Sequence, residues 1–163
     1  MEHDPNDQLK IRKATIADSE TILFLVKELG KFEKAPEEEM PVTLEQIQTH
    51  IFKNHYCHVL IVENDKTAIG LCTYYYSFTL IIGKPSIIIE DFFVVSEFRR
   101  KGIGIMLFRE LAKIALEGCE KIEWAVLTWN EPALKFYQKI GAKQVSGNVE
   151  YSLNNEQFQM MKE

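Results

Sequence analysis

The chain has 163 residues, with 19 Lys and Arg against 24 Asp and Glu, and is 46% apolar and 26% charged. That size and balance exclude a disordered or fibrous chain and suit one domain that buries its core without disulfides or a structural metal. The net charge of −5 argues against a general nucleic-acid binder, and residues 1–50 own the whole excess, with 11 acids and 6 bases.

Residues 1–8 (MEHDPNDQ) are polar and acidic, a flexible start unlike a signal peptide. Leu9–Ala14 is expected as a short strand. From Asp18 an amphipathic helix follows, with Ile22, Leu25, Val26 and Leu29 on one stripe and Gly30 and Pro36 punctuating its end. Beyond the charged loop FEKAPEEEMP, Thr43 and Gln46 read as a capping box for a second helix that buries Leu44, Ile47 and Ile51. The period then changes to two. His58–Glu63, Thr67–Phe78 and Ser86–Val95 read as strands of an antiparallel meander. Gly102–Leu116 is a helix with Leu107, Leu111, Ile114 and Ala115 on its buried face, and Gly118 stops it. The strand expected at Lys121–Leu127 lies parallel to Ser86–Val95, because a helix connects them. Asn130 caps a last full helix, with Pro132 in its first turn and Gly141 at its end. A closing hairpin over Lys143–Ser146 and Val149–Leu153 and a helical turn over Asn154–Met161 complete one mixed α/β domain, residues 9–163.

The three cysteines (Cys57, Cys72, Cys119) form no CxxC pair and suit reduced thiols in the cytoplasm. His55-x-x-His58 lacks further ligands at zinc spacing, so no metal is expected. No apolar run approaches the ~20 residues that span a bilayer, and no membrane partner is expected.

The chemistry is carried by SIIIEDFFVVSEFRRKGIGIMLFRELAKIAL, residues 86–116. A buried strand ends near Val95, and the basic turn Arg99-Arg100-Lys101 with Gly102 and Gly104 opens a helix. Unpaired amides and aligned peptide dipoles make such a helix start positive, and glycine lets an anion approach the main chain. It is a seat for a pyrophosphate. A P-loop would need Lys-Ser or Lys-Thr after its last glycine, and a dinucleotide fingerprint a third glycine where Leu107 stands, so neither fits.

The pattern R-x-x-G-x-G after an apolar strand resembles the coenzyme-A-binding motif of the GNAT superfamily of N-acetyltransferases. Glu90-Asp91-Phe92-Phe93-Val94 before it, Trp129-Asn130-Glu131-Pro132-Ala133 with Phe136-Tyr137 and Gly141-Ala142 after it, and IRKATIAD at the start extend the resemblance over most of residues 9–153. The combination is most similar to the diamine branch, with its spermidine/spermine and thialysine acetyltransferases. The resemblance implies a mixed, mostly antiparallel sheet flanked by helices, with a central splayed parallel strand pair. It implies acetyl-CoA as cosubstrate, a small cationic amine as acceptor, direct transfer and a homodimer.

Residue by residue, the resemblance implies that the backbone of Phe92, Phe93 and Val94 pairs with the pantetheine arm. Arg99, Arg100, Lys101, Gly102, Ile103, Gly104 and Ile105 hold the pyrophosphate, and Asn130 contacts the coenzyme while capping its helix. Tyr137 is the general acid for the departing thiolate, although its spacing with Ala133, Phe136 and Ile140 by itself reads as core. Glu90 binds the amine and takes its proton, directly or through water. Glu90 and Asp91 alternate faces, so at most one points into the cleft. Glu33 helps to hold a distal ammonium; the neighbouring run Glu37–Glu39 reads as a solvated loop or a further part of that site. Thr128 and Val149-Glu150-Tyr151 depart from the branch pattern, which leaves a peptide N-terminus, a protein lysine or an amino-sugar as other acceptors. A non-catalytic acyl-CoA-binding module is the reading from another class.

Overall fold

The computed structural model describes residues 9–145, 147 and 151–161. The chain divides into two compact units, Met1–Ala125 and Val126–Glu163. In the first, five strands form one sheet in sequence order: β1 (Leu9–Lys13), β2 (His58–Asn64), β3 (Thr67–Thr79), β4 (Lys84–Val94) and β5 (Ile122–Trp124). The first four pair antiparallel and β5 joins β4 in parallel, as the crossover requires. The β4–β5 pairing ends at Ile89 and Trp124, while β4 runs on to Val94. The expected parallel pair therefore parts company halfway along β4.

Helices cover both faces. The long helix α1 (Ser19–Glu33) and the short α2 (Leu44–Ile47), which continues as a π-helical turn over Gln48–Lys53, pack on one face. Ile22, Leu25 and Leu29 of α1 and Ile47 of α2 meet Val59, Ile61, Leu71 and Phe93 in one cluster. The Thr43–Gln46 capping box is present in both directions. Helix α3 (Ile103–Ala115) covers the other face through Ile103, Leu107, Phe108 and Leu111, with the Phe108 ring 5.0 Å from those of Phe92 and Trp124.

Gly30 does not end α1. The helix continues to Glu33, and Lys34 closes it in the left-handed region (φ 60°), with the Ala35 amide bonded back to the Gly30 carbonyl at 3.0 Å. Gly30 is instead a buried contact point: a Cβ there would overlap the Met40 sulfur. The expected strand Lys121–Leu127 is shorter, Ile122–Trp124.

Part of the acidic excess is neutralised within the fold. Arg12 donates from Nη1 and Nη2 to both Asp18 oxygens and from Nε and Nη2 to Glu63 Oε1, at 2.7–2.9 Å. The guanidinium holds the Asp18 carboxyl well below the usual carboxylate range. Asp18 thus ties β1 to the start of α1 and has no charge to spare for a ligand.

The second unit holds α4 (Glu131–Lys139) and α5 (Asn155–Met160). Asn130 caps α4 by accepting from the Ala133 amide at 3.4 Å, and Asn154 opens α5 with a capping box. The hairpin expected over Lys143–Ser146 and Val149–Leu153 and the start of the chain, residues 1–8, fall wholly or partly outside the described residues.

Candidate active site

A cavity of about 420 Å³ opens beside the end of α1. Val26, Leu29, Gly30 and Glu33 supply one wall, residues 35 and 39–42 another, and Gln46 and Asp91 complete it. Its ionisable groups are three carboxylates, Glu33, Glu39 and Asp91; none of the described residues that line it is basic. Val26, expected in the core stripe, packs half-buried against the core cluster and also lines this cavity, as Leu29 does. The volume suits a small molecule rather than a protein surface.

Asp91 reaches the cavity through a break in the sheet. Thr73 pairs with Asp91, but the next residue of β3, Tyr74, pairs with Ile89, so Glu90 is an extra residue in β4. Directly paired residues share a face. Ile87, Ile89 and Phe92, opposite Tyr76, Tyr74 and Cys72, therefore lie on the α3 face. Asp91 and Phe93, opposite Thr73 and Leu71, lie on the α1 face. Strict alternation puts Asp91 with Ile87 and Ile89; the bulge reverses it. Glu90 is exposed at the bulge, the place where strands re-aim a side chain.

Burial, and then the Asp91 charge, push the Glu33 carboxyl above its ordinary range. Burial first, with the charge of Asp91 behind it, pushes the Cys72 thiol up to about 12.

On the α3 side, Gly102 caps the helix with φ +81°, and Arg100 is also left-handed (φ 60°). The first bond of α3 runs from the Met106 amide to the Gly102 carbonyl at 3.1 Å, so the amides of Ile103, Gly104 and Ile105 lie ahead of it. A Cβ on Gly102 would meet nothing within 4 Å, so the space beside the turn at Gly102 is open. Arg100 and Lys101 are exposed beside it. These residues fit a diphosphate.

Arg99 is placed differently. Its Nε donates to the Val94 carbonyl at 2.7 Å, and its guanidinium lies 4.1 Å from the centre of the Phe32 ring and 5.4 Å from that of Phe93. Periodicity carried no sign of this inward turn. Because L side chains strain at φ +81°, Gly102→Ala is expected to weaken coenzyme A binding about five- to tenfold by deforming the turn, as read by calorimetric titration. Unchanged affinity would separate the turn from the ligand.

In the second unit, the Asn130 cap is as expected from the sequence, and Ala133, Phe136 and Tyr137 lie on α4 with Ile140 as its C-cap, none of them buried. Tyr137 is half-buried rather than core, its ring 5.5 Å from that of Phe136. Gly70 is a residue that the sequence did not single out. It sits opposite Val94, and a Cβ there would lie 2.6 Å from the Phe93 carbonyl oxygen.

The Acetyltransferase (GNAT) family is matched over residues 22–142. The thialysine N-epsilon-acetyltransferase of Bos taurus is 30% identical over 146 residues, 83% of this chain and 85% of that protein. The spermidine/spermine N(1)-acetyltransferase-like protein 1 of Homo sapiens is 28% identical over 155 residues, 90% of this chain and 22% of that protein. Among solved structures, an integron cassette protein from the mobile metagenome of V. cholerae superposes with a TM-score of 0.80 at 23% identity, over 96% of this chain and 99% of its own, a likeness of fold.

Proposed function

The chain belongs to the acetyltransferase (GNAT) family, and from that premise we propose that its acceptor is a small cationic primary amine of the polyamine, diamine or thialysine type. As a member of the family it is an N-acetyltransferase, and acetyl-CoA supplies the acetyl group as a thioester. The observation that carries the acceptor reading is the cavity lined by Glu33, Glu39 and Asp91 without a basic side chain among its described residues. Carboxylates held close together in a partly desolvated site repel one another, and a cation relieves that repulsion.

In this reading Arg100, Lys101 and the amides of Ile103 to Ile105 hold the coenzyme's diphosphate, with Asn130 adding a contact beyond its cap. The backbone of Phe92 to Val94, on the part of β4 that runs past β5, holds the pantetheine arm. Arg99 serves by bracing the turn through Val94 and Phe32. Glu33 and Asp91 orient the acceptor. An amine of pKa ~10.4 sheds its proton near pH 7 at a cost of about 4.6 kcal/mol. Glu90, exposed at the bulge, receives that proton through water, and Tyr137 gives one to the departing sulfur. The same reading makes residues 9–163 one catalytic domain of a cytoplasmic homodimer.

The test is release of coenzyme A thiol from acetyl-CoA with polyamines, diamines, thialysine, a neutral-tailed amine and a peptide N-terminus. Cationic small amines should show the highest kcat/KM. Equal or better turnover of the peptide or the neutral amine would overturn the acceptor assignment.

Glu33 supplies a prediction with two readouts. Glu33→Gln is expected to raise the amine KM about tenfold, the loss of one charge-assisted contact, and leave the acetyl-CoA KM unchanged. Its carboxyl titrates higher folded than unfolded, so its contribution to stability is full in acid and is lost as pH rises through the folded value. Glu33→Gln should therefore melt higher than wild type at neutral pH, with the difference vanishing in acid. A lower melting temperature at neutral pH would show that the carboxylate stabilises the fold.

A further inference from the structure

Asp91 is the one acid among the cavity's described lining that the sheet carries, and the side chain of Thr73 holds it. Thr73 is buried, 4% exposed, and lies directly across from Asp91 on β3. Its Oγ1 donates to Asp91 Oδ2 and accepts from the Asp91 amide at 3.0 Å. A threonine hydroxyl in a strand can satisfy itself on nearby backbone. Here both of its hydrogen-bonding functions go to one residue, 18 positions away, at the first pair beyond the bulge.

That placement has a chemical consequence. A carboxylate on a bulged strand has rotamers that point toward solvent as well as toward the cavity. The hydroxyl selects one of them and holds Oδ2, so Oδ1 is the oxygen left for a ligand. The amide bond fixes the Asp91 backbone at the same point, where the reversal of alternation has to be maintained.

We infer that Thr73 is a positioning residue for the acceptor: its hydroxyl clasps Asp91 so that this carboxylate and Glu33 present two fixed acceptors to one cationic group. The inference rests on the cationic-acceptor reading and adds to it a residue that touches neither substrate. It makes Asp91, set by Thr73, the sheet's contribution to amine selection, and leaves the exposed Glu90 to proton traffic.

The experiment is steady-state kinetics of T73V and T73S with acetyl-CoA and the amine that the wild type uses best. T73V keeps the branched shape and removes the hydroxyl. It should raise the amine KM about five- to tenfold and leave the acetyl-CoA KM within about twofold; T73S should restore the amine KM to within about twofold of wild type. In a D91N background T73V should add nothing, because Thr73 acts only through Asp91. A wild-type amine KM in T73V, an equal rise for both substrates, or additivity with D91N overturns the inference. If T73V does not fold, T73C takes its place with the same outcomes. Failure of the acceptor reading is seen separately, in the wild type: it would prefer a neutral amine or a peptide. Thr73 is then tested on that substrate, where an unchanged KM in T73V overturns positioning.

Discussion

Tyr137→Phe is expected to lower kcat about 100-fold and to leave both KM values within about threefold of wild type. The substitution removes one hydroxyl and keeps the ring, so the contact with Phe136 survives. No residue of α4 is buried, and Tyr137 is half-buried. A thiol of pKa ~8.5 leaves as a moderately basic thiolate, and a positioned proton donor is worth about 10²–10⁴-fold in such a step. A kcat within threefold of wild type, measured with saturating acetyl-CoA and amine, would remove Tyr137 from the chemistry. A fall in melting temperature would mark it as a packing residue.

Gly70→Ala has the largest expected effect on stability, through backbone contact. Its Cβ would lie 2.6 Å from the Phe93 carbonyl oxygen and 3.3 Å from Val94 Cα, and neither can swing away as a side-chain tip can. The β3–β4 pair must separate where Gly70 faces Val94. Such overpacking costs about 1–3 kcal/mol, which for a chain of this size lowers the melting temperature by roughly 2–12 °C. The displacement has a functional path as well. Val94 accepts the Arg99 Nε bond at 2.7 Å, and Arg99 leads into the turn that opens α3. Gly70→Ala should therefore raise the acetyl-CoA KM more than the amine KM. A variant that melts like wild type would show that β3 and β4 yield at this point without strain.

The contrast between these two glycines clarifies how much was legible in advance. Gly102 stands at a helix start after a basic turn, a local pattern that announces its own conformation, and its φ of +81° agrees. Gly70 stands inside a strand and has ordinary backbone geometry. Its reason lies in the carbonyl of another strand, 23 residues further along the chain. Gly30 read as a helix stop because glycine so often is one, yet there the side chain of Met40 occupies the space that a Cβ would need. Local rules describe what glycine permits; only the fold says which permission is used.

The same division runs through the acidic segment. Its charge is plain from counting, but charge has to be placed before it can bind. Asp18 is consumed by Arg12, Glu28 faces Lys31, and Glu33 and Glu39 line the cavity. The third lining acid, Asp91, comes from outside the segment altogether.

By itself the sequence determined the helix caps at Thr43 and Asn130, the buried stripe Ile22, Leu25 and Leu29, the meander and its parallel addition, and the helix start at Gly102 that suits a diphosphate. Each of these is written within a few consecutive residues, because caps, stripes and turns are decided by neighbours in the chain. Tertiary structure alone decided which carboxylate of Glu90-Asp91 enters the cavity, which glycine is wedged against a strand, and that Arg99 turns inward onto Phe32. The bulge depends on how β4 meets Thr73, and the guanidinium on where α1 ends. Contacts between residues far apart in the chain leave no period, so pattern reading passes over them.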